Sequence, residues 1–296
     1  MVLALWPWGA ALLVANQLPA RLQQAFGGNP AVRHPLRGLP WAPDCQIIDR
    51  DNTTTYLPPT PPQPVTVLEV HSGGWRGGTR RESKRLDAYL ASQGWKVVAV
   101  DYRLAPAHPH PAGLEDVERL LRELAKERPV VLVGRSAGGH LALCAAYRNP
   151  TLVAGVMAIY APTDLLWDYD HPSNPAAYDS RTVISNYMGG PPGLKPERYQ
   201  AASPVYLAGP DTPPTLIVHG LRDDLVWPAN ADRLAARLAQ QPTPYLQVEL
   251  PWMNHGGDLV PGGPSSRLCA YALESFLTQL GMKRAASGKV EFNEQS

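Results

Sequence analysis

From residue 65 onward, short apolar runs rich in β-branched residues alternate with longer segments whose apolar positions recur at helical spacing. The first kind of run predicts buried strands and the second predicts helices packed on a core. The predicted strands are 65–71, 96–102, 129–133, 155–160, 215–219 and 245–250, and the predicted helices are 80–93, 113–128, the residues after Ser136, 230–240 and 265–280. This alternation is typical of crossover units, so we expect an α/β fold with a mostly parallel central sheet and helices on both faces.

Two stretches depart from this alternation. The run TTTYLPP at 53–59 predicts the end of an antiparallel strand at the edge of the sheet. Residues 162–210 are rich in Pro, Gly, Asp and aromatic residues, and they predict an insertion folded over the carboxyl edge of the sheet as a small cap. The predicted domains are therefore an N-terminal cap or leader at 1–48, a core domain at 49–282 that contains this insertion, and a flexible tail at 283–296.

The first 14 residues, MVLALWPWGAALLV, are almost wholly apolar. This run is shorter than the roughly 20 residues that cross a bilayer, and no basic residue precedes it as in a secretory signal. We expect a helix that packs on the body of the protein near the functional site, in a cytoplasmic protein. The alternative is a leader or membrane-surface segment, with export or weak membrane association through residues 1–20.

Composition and charge argue against several classes of function. The net charge of +1 gives no basic surface for nucleic acid. The cysteines are three in number and widely spaced, which indicates neither a disulfide framework nor a zinc site: Cys45, Cys144 and Cys269. No phosphate-binding or dinucleotide-binding motif is present, so we expect no cofactor. We expect no metal either, and we interpret the Asp168–His171 segment as a solvated insertion loop.

The five residues GRSAG at 134–138 lie directly between a predicted strand and a predicted helix. A turn from strand to helix is crowded and strained, and side chains at the two glycine positions would collide with the flanking strand and helix. Such a turn lifts a serine hydroxyl out of a buried sheet and exposes it. Ser136 is therefore the predicted nucleophile.

A serine hydroxyl becomes a good nucleophile when a histidine takes its proton and a carboxylate fixes the tautomer of that histidine. In this architecture the acid and then the histidine follow the serine in the chain, each after a later strand. Asp223 follows the strand 215–219, and we choose it over its neighbour Asp224, which suits a turn. Among the eight histidines, His255 is the one between the last predicted strand and the last predicted helix.

Acyl transfer also creates an oxyanion, which needs backbone N–H donors. One donor is predicted at Ala137, directly after the nucleophile. The others are predicted from the paired glycines Gly73 and Gly74 in the segment HSGGW at 71–75, for which an ordinary Gly-Gly turn is the alternative. Aromatic residues are the predicted walls of a pocket for an uncharged substrate, namely Trp75, Tyr102, Trp167 and Trp252.

Taken together, the motifs resemble the α/β-hydrolase superfamily, over about residues 50–280. The resemblance is to the esterase branch of hormone-sensitive-lipase-like carboxylesterases, feruloyl and acetyl-xylan esterases and kynurenine formamidases. The matching segments are HSGGW at 71–75, DYRLAP at 101–106, GRSAGG at 134–139, HGLRDDLV at 219–226 and NHGG at 254–257. The resemblance implies a triad of Ser136, Asp223 and His255, with an oxyanion hole made by the N–H groups of Gly73, Gly74 and Ala137.

The resemblance implies a lipase-like serine carboxylesterase for small uncharged esters. An aryl-formamide or amide hydrolase of the kynurenine formamidase kind uses the same triad and is the alternative among enzymes. A catalytically silent hydrolase-fold binding module is the alternative of another class. Two departures from the family pattern leave the substrate open, because Ser72 stands where Gly is usual and Arg135 stands where hormone-sensitive-lipase-like elbows have Asp.

Overall fold

The computed structural model describes residues 2–29, 34–39, 44–173, 178–194 and 196–287. Its strands are β1 (Gln46–Arg50), β2 (Thr53–Leu57), β3 (Thr66–Val70), β4 (Lys96–Val100), β5 (Val130–Arg135), β6 (Val153–Ile159), β7 (Thr215–Gly220) and β8 (Tyr245–Leu250). Its α-helices are α1 (Val2–Phe26), α2 (Lys84–Ser92), α3 (Ala112–Ala125), α4 (Ala137–Arg148), α5 (Leu165–Asp170), α6 (Ser180–Met188), α7 (Pro196–Ala201), α8 (Pro204–Leu207), α9 (Ala229–Leu238) and α10 (Pro264–Ser287).

The described strands form one eight-stranded sheet in the order β1-β2-β4-β3-β5-β6-β7-β8. Strands β3 to β8 are parallel to one another, whereas β2 runs antiparallel to both β1 and β4. The mostly parallel sheet is therefore confirmed. The edge assignment of 53–59 is wrong, because β1 lies outside β2. The sequence of β1, QIIDR, is largely exposed and has no buried alternation that would have identified it as a strand.

Successive residues of each strand point to opposite faces of the sheet, and each face has its own core. Val131 and Val133 of β5 pack in the core that contains residues of α1, α2 and α10. Val130 and Leu132 pack in the core that contains residues of α3, α4 and α9. The interior strands are apolar on both sides for this reason, as in sheets covered twice by helices.

The stretch 162–210 is built from short helices, α5 to α8, with one 3₁₀ turn at Pro192–Leu194, and its described residues contain no strand. Helix α5 packs on α6 and α7, and α8 packs on α4, the helix that follows Ser136. The insertion thus lies on the body of the protein at the end of the sheet where Ser136 is found.

Helix α1 packs against α10 and β8. Its inward residues Leu18, Leu22 and Phe26 are fully buried, and the Phe26 ring lies 4.7 Å from the ring of Phe276. No described helix is long and apolar enough to cross a membrane. At the other terminus α10 continues to Ser287, beyond its predicted end at 280, and residues 288–296 of the predicted tail lie outside the described residues.

Candidate active site

Ser136 occupies the turn between β5 and α4 in a strained backbone conformation, with φ of 51° and ψ of −123°. Two glycines make this turn sterically possible. A Cβ at Gly134 would lie 2.3 Å from the carbonyl oxygen of Gly138, and a Cβ at Gly138 would lie 2.2 Å from the carbonyl oxygen of His71. Since these contacts are far below van der Waals distance, the GRSAG spacing follows from the geometry of the turn.

Asp223, His255 and Ser136 form one hydrogen-bonded line. The Nδ1 atom of His255 lies 2.8 Å from Oδ2 of Asp223, and its Nε2 atom lies 3.0 Å from Oγ of Ser136. With the proton on Nδ1 facing the carboxylate, Nε2 is free to accept the proton of the serine. The structure thus brings together the three residues that the strand-end argument selected.

Asp223 is 2% exposed and is held from several sides. Burial alone would raise the pKa of its carboxyl group, but hydrogen bonds from His219 and His255 outweigh burial and lower that pKa to about 2. The N–H groups of Leu225 and Val226 also donate to its Oδ1, at 3.0 and 2.9 Å. Asp224, the rejected neighbour, is exposed to solvent.

The segment at 71–75 and the first turn of α4 meet beside Ser136. Gly74 and Ala137 both line the cavity next to the serine, whereas Gly73 is not among the residues that line it. Ala137 is the first residue of α4, so its N–H has no acceptor within the helix and is free to bind an anion. Ser72, the departure from the family pattern, anchors the segment because its N–H and its hydroxyl both donate to Glu82, at 2.9 and 2.5 Å.

The cavity beside Ser136 has a volume of about 30 Å³. Its lining is mostly apolar and aromatic, and much of it belongs to the insertion at 162–210 and to the loop after β7. The residues that line it are Gly74, Trp75, Ser136, Ala137, Pro162, Asp168, His171, Tyr178, Ser180, Val183, Ile184, Leu225, Val226 and Trp227. No described residue of α1 is among them, although the sequence predicted this helix near the site.

Of the four predicted aromatic walls, Trp75 alone lies in this cavity. Tyr102 lies behind the 71–75 segment, where its ring stacks on His71 at 4.3 Å and its hydroxyl donates to the His71 carbonyl at 3.2 Å. Trp167 lies one layer behind the lining, because its ring stacks at 4.3 Å on the ring of His171, which lines the cavity, and Arg233 lies over the Trp167 ring. Trp252 donates to the Ser265 hydroxyl at 2.9 Å.

Trp227 lines the cavity, whereas Tyr102, Trp167 and Trp252, which the sequence predicted there, do not. Trp227 was not among the predicted pocket residues. Its position directly after the acid segment 219–226 was the available signal, because that loop ends at the same edge of the sheet as Ser136.

Arg135, the second departure from the family pattern, is 2% exposed and lies in a buried charge network. Its Nε donates to Asp258 at 2.6 Å, and its Nη1 donates to Ser83 at 2.8 Å and also to Glu69. Burial raises the pKa of Glu69 to about 7 in spite of the neighbouring guanidinium. Arg135 thus ties the turn that carries Ser136 to the loop that carries His255, in which Asp258 stands.

Tyr160 continues this network towards the histidine. Its hydroxyl donates to Oδ1 of Asp258 at 2.5 Å, and its ring centroid lies 4.5 Å from that of His255. Burial raises the pKa of the Tyr160 hydroxyl well above its usual value, so the hydroxyl stays protonated and keeps donating. The His255 ring is therefore in contact with a tyrosine ring that Asp258 holds in place.

His140 holds Trp75 in the cavity wall. Its Nδ1 accepts from the indole N–H of Trp75 at 3.2 Å, and its Nε2 lies 2.7 Å from the carbonyl oxygen of Ala202. Burial lowers the pKa of His140 to about 3, so the ring is neutral and keeps one donor and one acceptor. This histidine supports the site from behind and is not part of the hydrogen-bonded line.

The segment at 168–171 is only partly the solvated loop that we expected, because Asp170 and His171 are exposed whereas Asp168 is not. It lies at the end of α5, and Asp168 is buried with its side chain beside the cavity. Within the part of the chain that the structure describes, no group of three or more His, Cys, Asp or Glu residues is placed to hold a metal ion.

The sheet is mostly parallel, Ser136 stands at a strained turn after β5, and an acid and a histidine follow β7 and β8. This arrangement defines an α/β-hydrolase. The comparisons with known proteins agree with this class. The BD-FAE family model matches residues 54–238, which is more than half of the chain, and the chain belongs to this family.

Among curated relatives, esterase LipC of Mycobacterium tuberculosis is 31% identical over 260 residues, covering 78% of this chain and 62% of that protein. The chain thus spans less than two thirds of the length of this relative. An acetyl-hydrolase of Streptomyces hygroscopicus is 29% identical over 79% of both chains. Among solved structures, a hyperthermophilic esterase from the archaeon Pyrobaculum calidifontis shares the fold with a TM-score of 0.68 at 20% identity, over 93% of this chain and 94% of its own.

Proposed function

We propose that this chain is a serine esterase that hydrolyses small, uncharged carboxylic esters through an acyl-enzyme. The observation that carries the proposal is the line from Asp223 through His255 to Ser136, with contacts of 2.8 and 3.0 Å at a strained strand-to-helix turn. The names of the relatives, which include an esterase and an acetyl-hydrolase, support the same reaction.

In the first half of the reaction, Oγ of Ser136 bonds to the carbonyl carbon of the ester while Nε2 of His255 takes the hydroxyl proton. The carbonyl oxygen becomes an oxyanion and accepts hydrogen bonds from the N–H groups of Gly74 and Ala137, which line the cavity, and from that of the adjacent Gly73. The carbon–oxygen bond to the alcohol then breaks, and His255 gives its proton to the leaving alkoxide. A carboxylate at Asp223 keeps the proton of His255 on Nδ1 throughout.

In the second half, a water molecule attacks the acyl-enzyme carbonyl while His255 takes one of its protons. The bond between the acyl carbon and Oγ of Ser136 breaks, and the serine recovers its proton from His255. The low pKa of Asp223, about 2, supports this cycle, because the carboxylate stays charged opposite the imidazolium that forms in each half.

The size and lining of the cavity support a substrate with a small, uncharged acyl or alcohol group. Its volume is about 30 Å³, and the side chains that close it include Val183, Ile184 and Trp227. Apolar walls strengthen the electrostatic interactions of the reacting groups by excluding water. Longer acyl chains would have to extend out of this cavity, so we expect acetate and butyrate esters to be hydrolysed faster than octanoate esters.

The test combines active-site labelling with a substrate panel. A fluorophosphonate probe should label the wild-type protein on Ser136, and p-nitrophenyl acetate and butyrate should be hydrolysed. In the Ser136→Ala variant we expect no labelling and a loss of hydrolysis of roughly 10³-fold or more, with unchanged folding. Hydrolysis of an N-formyl arylamide in preference to all the esters would favour the formamidase alternative. A folded wild-type protein that is not labelled would favour the binding module.

A further inference from the structure

Asp168 is a buried carboxyl group that the proposed reaction does not use. It lies on α5, is 7% exposed and lines the cavity beside Ser136. Its Oδ1 accepts from the side-chain amide of Asn230 at 2.6 Å. Its Oδ2 has no hydrogen-bond partner among the described residues. A buried acceptor without a partner is costly, so such an atom at a binding cavity points to a ligand that supplies the missing donor.

The charged groups around Asp168 are committed to other partners. Asp164, on the preceding turn, pairs with Arg233 at 2.6 Å, so this cation is already engaged by another carboxylate. His171, which also lines the cavity, has its Nδ1 2.9 Å from the carbonyl oxygen of Trp167. Burial therefore dominates at Asp168, and it raises the pKa of the carboxyl group to about 7.

The cavity limits what can reach this carboxyl group. Its volume of about 30 Å³ leaves room beside Asp168 for a small polar group of the bound substrate, such as a hydroxyl. A hydroxyl fits the chemistry as well as the size, because it can donate to Oδ2 of the carboxylate and can accept from the Oδ2–H group when the carboxyl group is protonated. An ammonium group would need the ionised carboxylate and would have to be desolvated between apolar walls such as Val183 and Ile184.

We propose that Asp168 is a specificity-determining residue that forms a hydrogen bond, through Oδ2, with a hydroxyl group of the substrate. The substrates selected in this way are esters that carry a hydroxyl close to the scissile carbonyl, on the acyl or the alcohol side. The inference rests on the proposed ester hydrolysis at Ser136, since it concerns the same cavity. Sites with a buried polar group reject analogues that lack its partner, and here we expect a preference of roughly 10- to 100-fold.

The experiment compares matched ester pairs of equal size. On the acyl side the pair is p-nitrophenyl 3-hydroxybutanoate and p-nitrophenyl 3-methylbutanoate. On the alcohol side it is 2-hydroxyethyl acetate and propyl acetate. In the wild type we expect kcat/KM to favour the hydroxylated member of at least one pair. In Asp168→Leu we expect this ratio to fall to about 1.

Asp170→Asn is the matched control, because Asp170 stands on the same helix and is exposed. It should keep the wild-type ratio for both pairs. If Asp168→Leu does not fold, Asp168→Ala tests the same loss of the acceptor. A wild type that hydrolyses both members of each pair equally, or an Asp168 variant with an unchanged ratio, would overturn the role of Asp168. Failure to hydrolyse any of the four esters, together with absence of fluorophosphonate labelling, would overturn the proposed esterase activity itself.

Discussion

Arg135 and Asp258 form an ion pair of 2.6 Å in which both side chains are almost completely buried. The first residue precedes Ser136 directly, and the second stands three positions after His255 in the chain. The pair therefore spans the two loops whose relative position sets the distance between the serine hydroxyl and the imidazole. Tyr160, which donates to Asp258 and packs on the ring of His255, extends the same support.

The ion pair predicts a kinetic defect when one partner loses its charge. We expect Asp258→Asn to lower kcat by up to roughly 10²-fold with little change in KM, because a small displacement of His255 misaligns proton transfer without emptying the cavity. We also expect the free energy of unfolding to fall by about 3–5 kcal/mol, since Arg135 keeps a buried charge that is less well compensated. Steady-state kinetics measures kcat and KM, and urea unfolding well below the melting temperature measures the free energy of unfolding.

Asp211→Asn, at an exposed position, is the control for the loss of one carboxylate. It should match the wild type in kcat and in stability. A variant Asp258→Asn that is destabilised but keeps the wild-type kcat would show that the ion pair holds the fold without positioning His255.

Substitution of the neighbouring acids Asp223 and Asp224 by Asn should affect kcat to very different extents. Asp223→Asn should reduce kcat by roughly 10³- to 10⁴-fold, because an amide cannot hold His255 in the tautomer that accepts the serine proton. Asp224→Asn should stay within about twofold of the wild type, since that side chain points into solvent. Comparison of kcat for p-nitrophenyl acetate decides between them, and a larger loss in Asp224→Asn would move the acid to that residue.

Asp168 predicts a dependence of stability on pH. Because the pKa of its carboxyl group is raised from 3.8 to about 7 by burial, the folded protein keeps a proton that the unfolded chain has already released between these two values. The contribution of Asp168 to stability therefore falls as pH rises through this window and is constant above pH 7. Asp168→Asn does not ionise and lacks this loss.

Between pH 5 and pH 8, the free energy of unfolding of Asp168→Asn should thus rise relative to that of the wild type by about 2–3 kcal/mol. Urea unfolding of both proteins at the two pH values measures this difference, in which the other titrating groups cancel. An equal difference at both values would mean that Asp168 titrates near its ordinary pKa in the folded state.

Helix α1 predicts a stability effect that depends on which side of the helix is changed. Leu22 is fully buried, so Leu22→Ala should cost about 2–5 kcal/mol through lost burial and a residual cavity. Leu13 is 67% exposed, and Leu13→Ala should change stability by no more than about 0.5 kcal/mol. Similar costs for both variants would contradict the packing of α1 described above. Neither variant should change the acyl-chain preference, because no described residue of α1 lines the cavity.

The three loops that carry Ser136, Asp223 and His255 could be predicted because their positions depend on the order of the strands in the chain. Parallel strands end at one edge of the sheet, so residues placed directly after three such strands meet there without further information. The burial of His140 and the network around Arg135 could not be predicted in this way. They depend on which side chains the helices and loops bring together across large distances in the chain.

The predictions that the structure contradicts failed for a common physical reason. Tyr102 and Trp167 are aromatic residues near the correct edge of the sheet, but the direction in which a loop side chain points is set by tertiary contacts such as the stacking on His71. Asp168 lies in a polar stretch, and composition does not reveal which side of a short helix faces the interior. Strand β1 was missed because an exposed edge strand does not need an apolar pattern.

The packing of α1 on β8 and α10 has a consequence for synthesis of the chain. Arg21 of α1 donates to the carbonyl of Gln247 in β8, across 226 positions of sequence. At roughly 5–20 residues per second, a ribosome needs about 10–50 s to add these residues. During that interval the apolar side of α1, with Leu18, Leu22 and Phe26, lacks its partners in β8 and α10. Burial of these three side chains therefore waits until β8 and α10 have been made, so this side of the core is completed after the rest of the sheet.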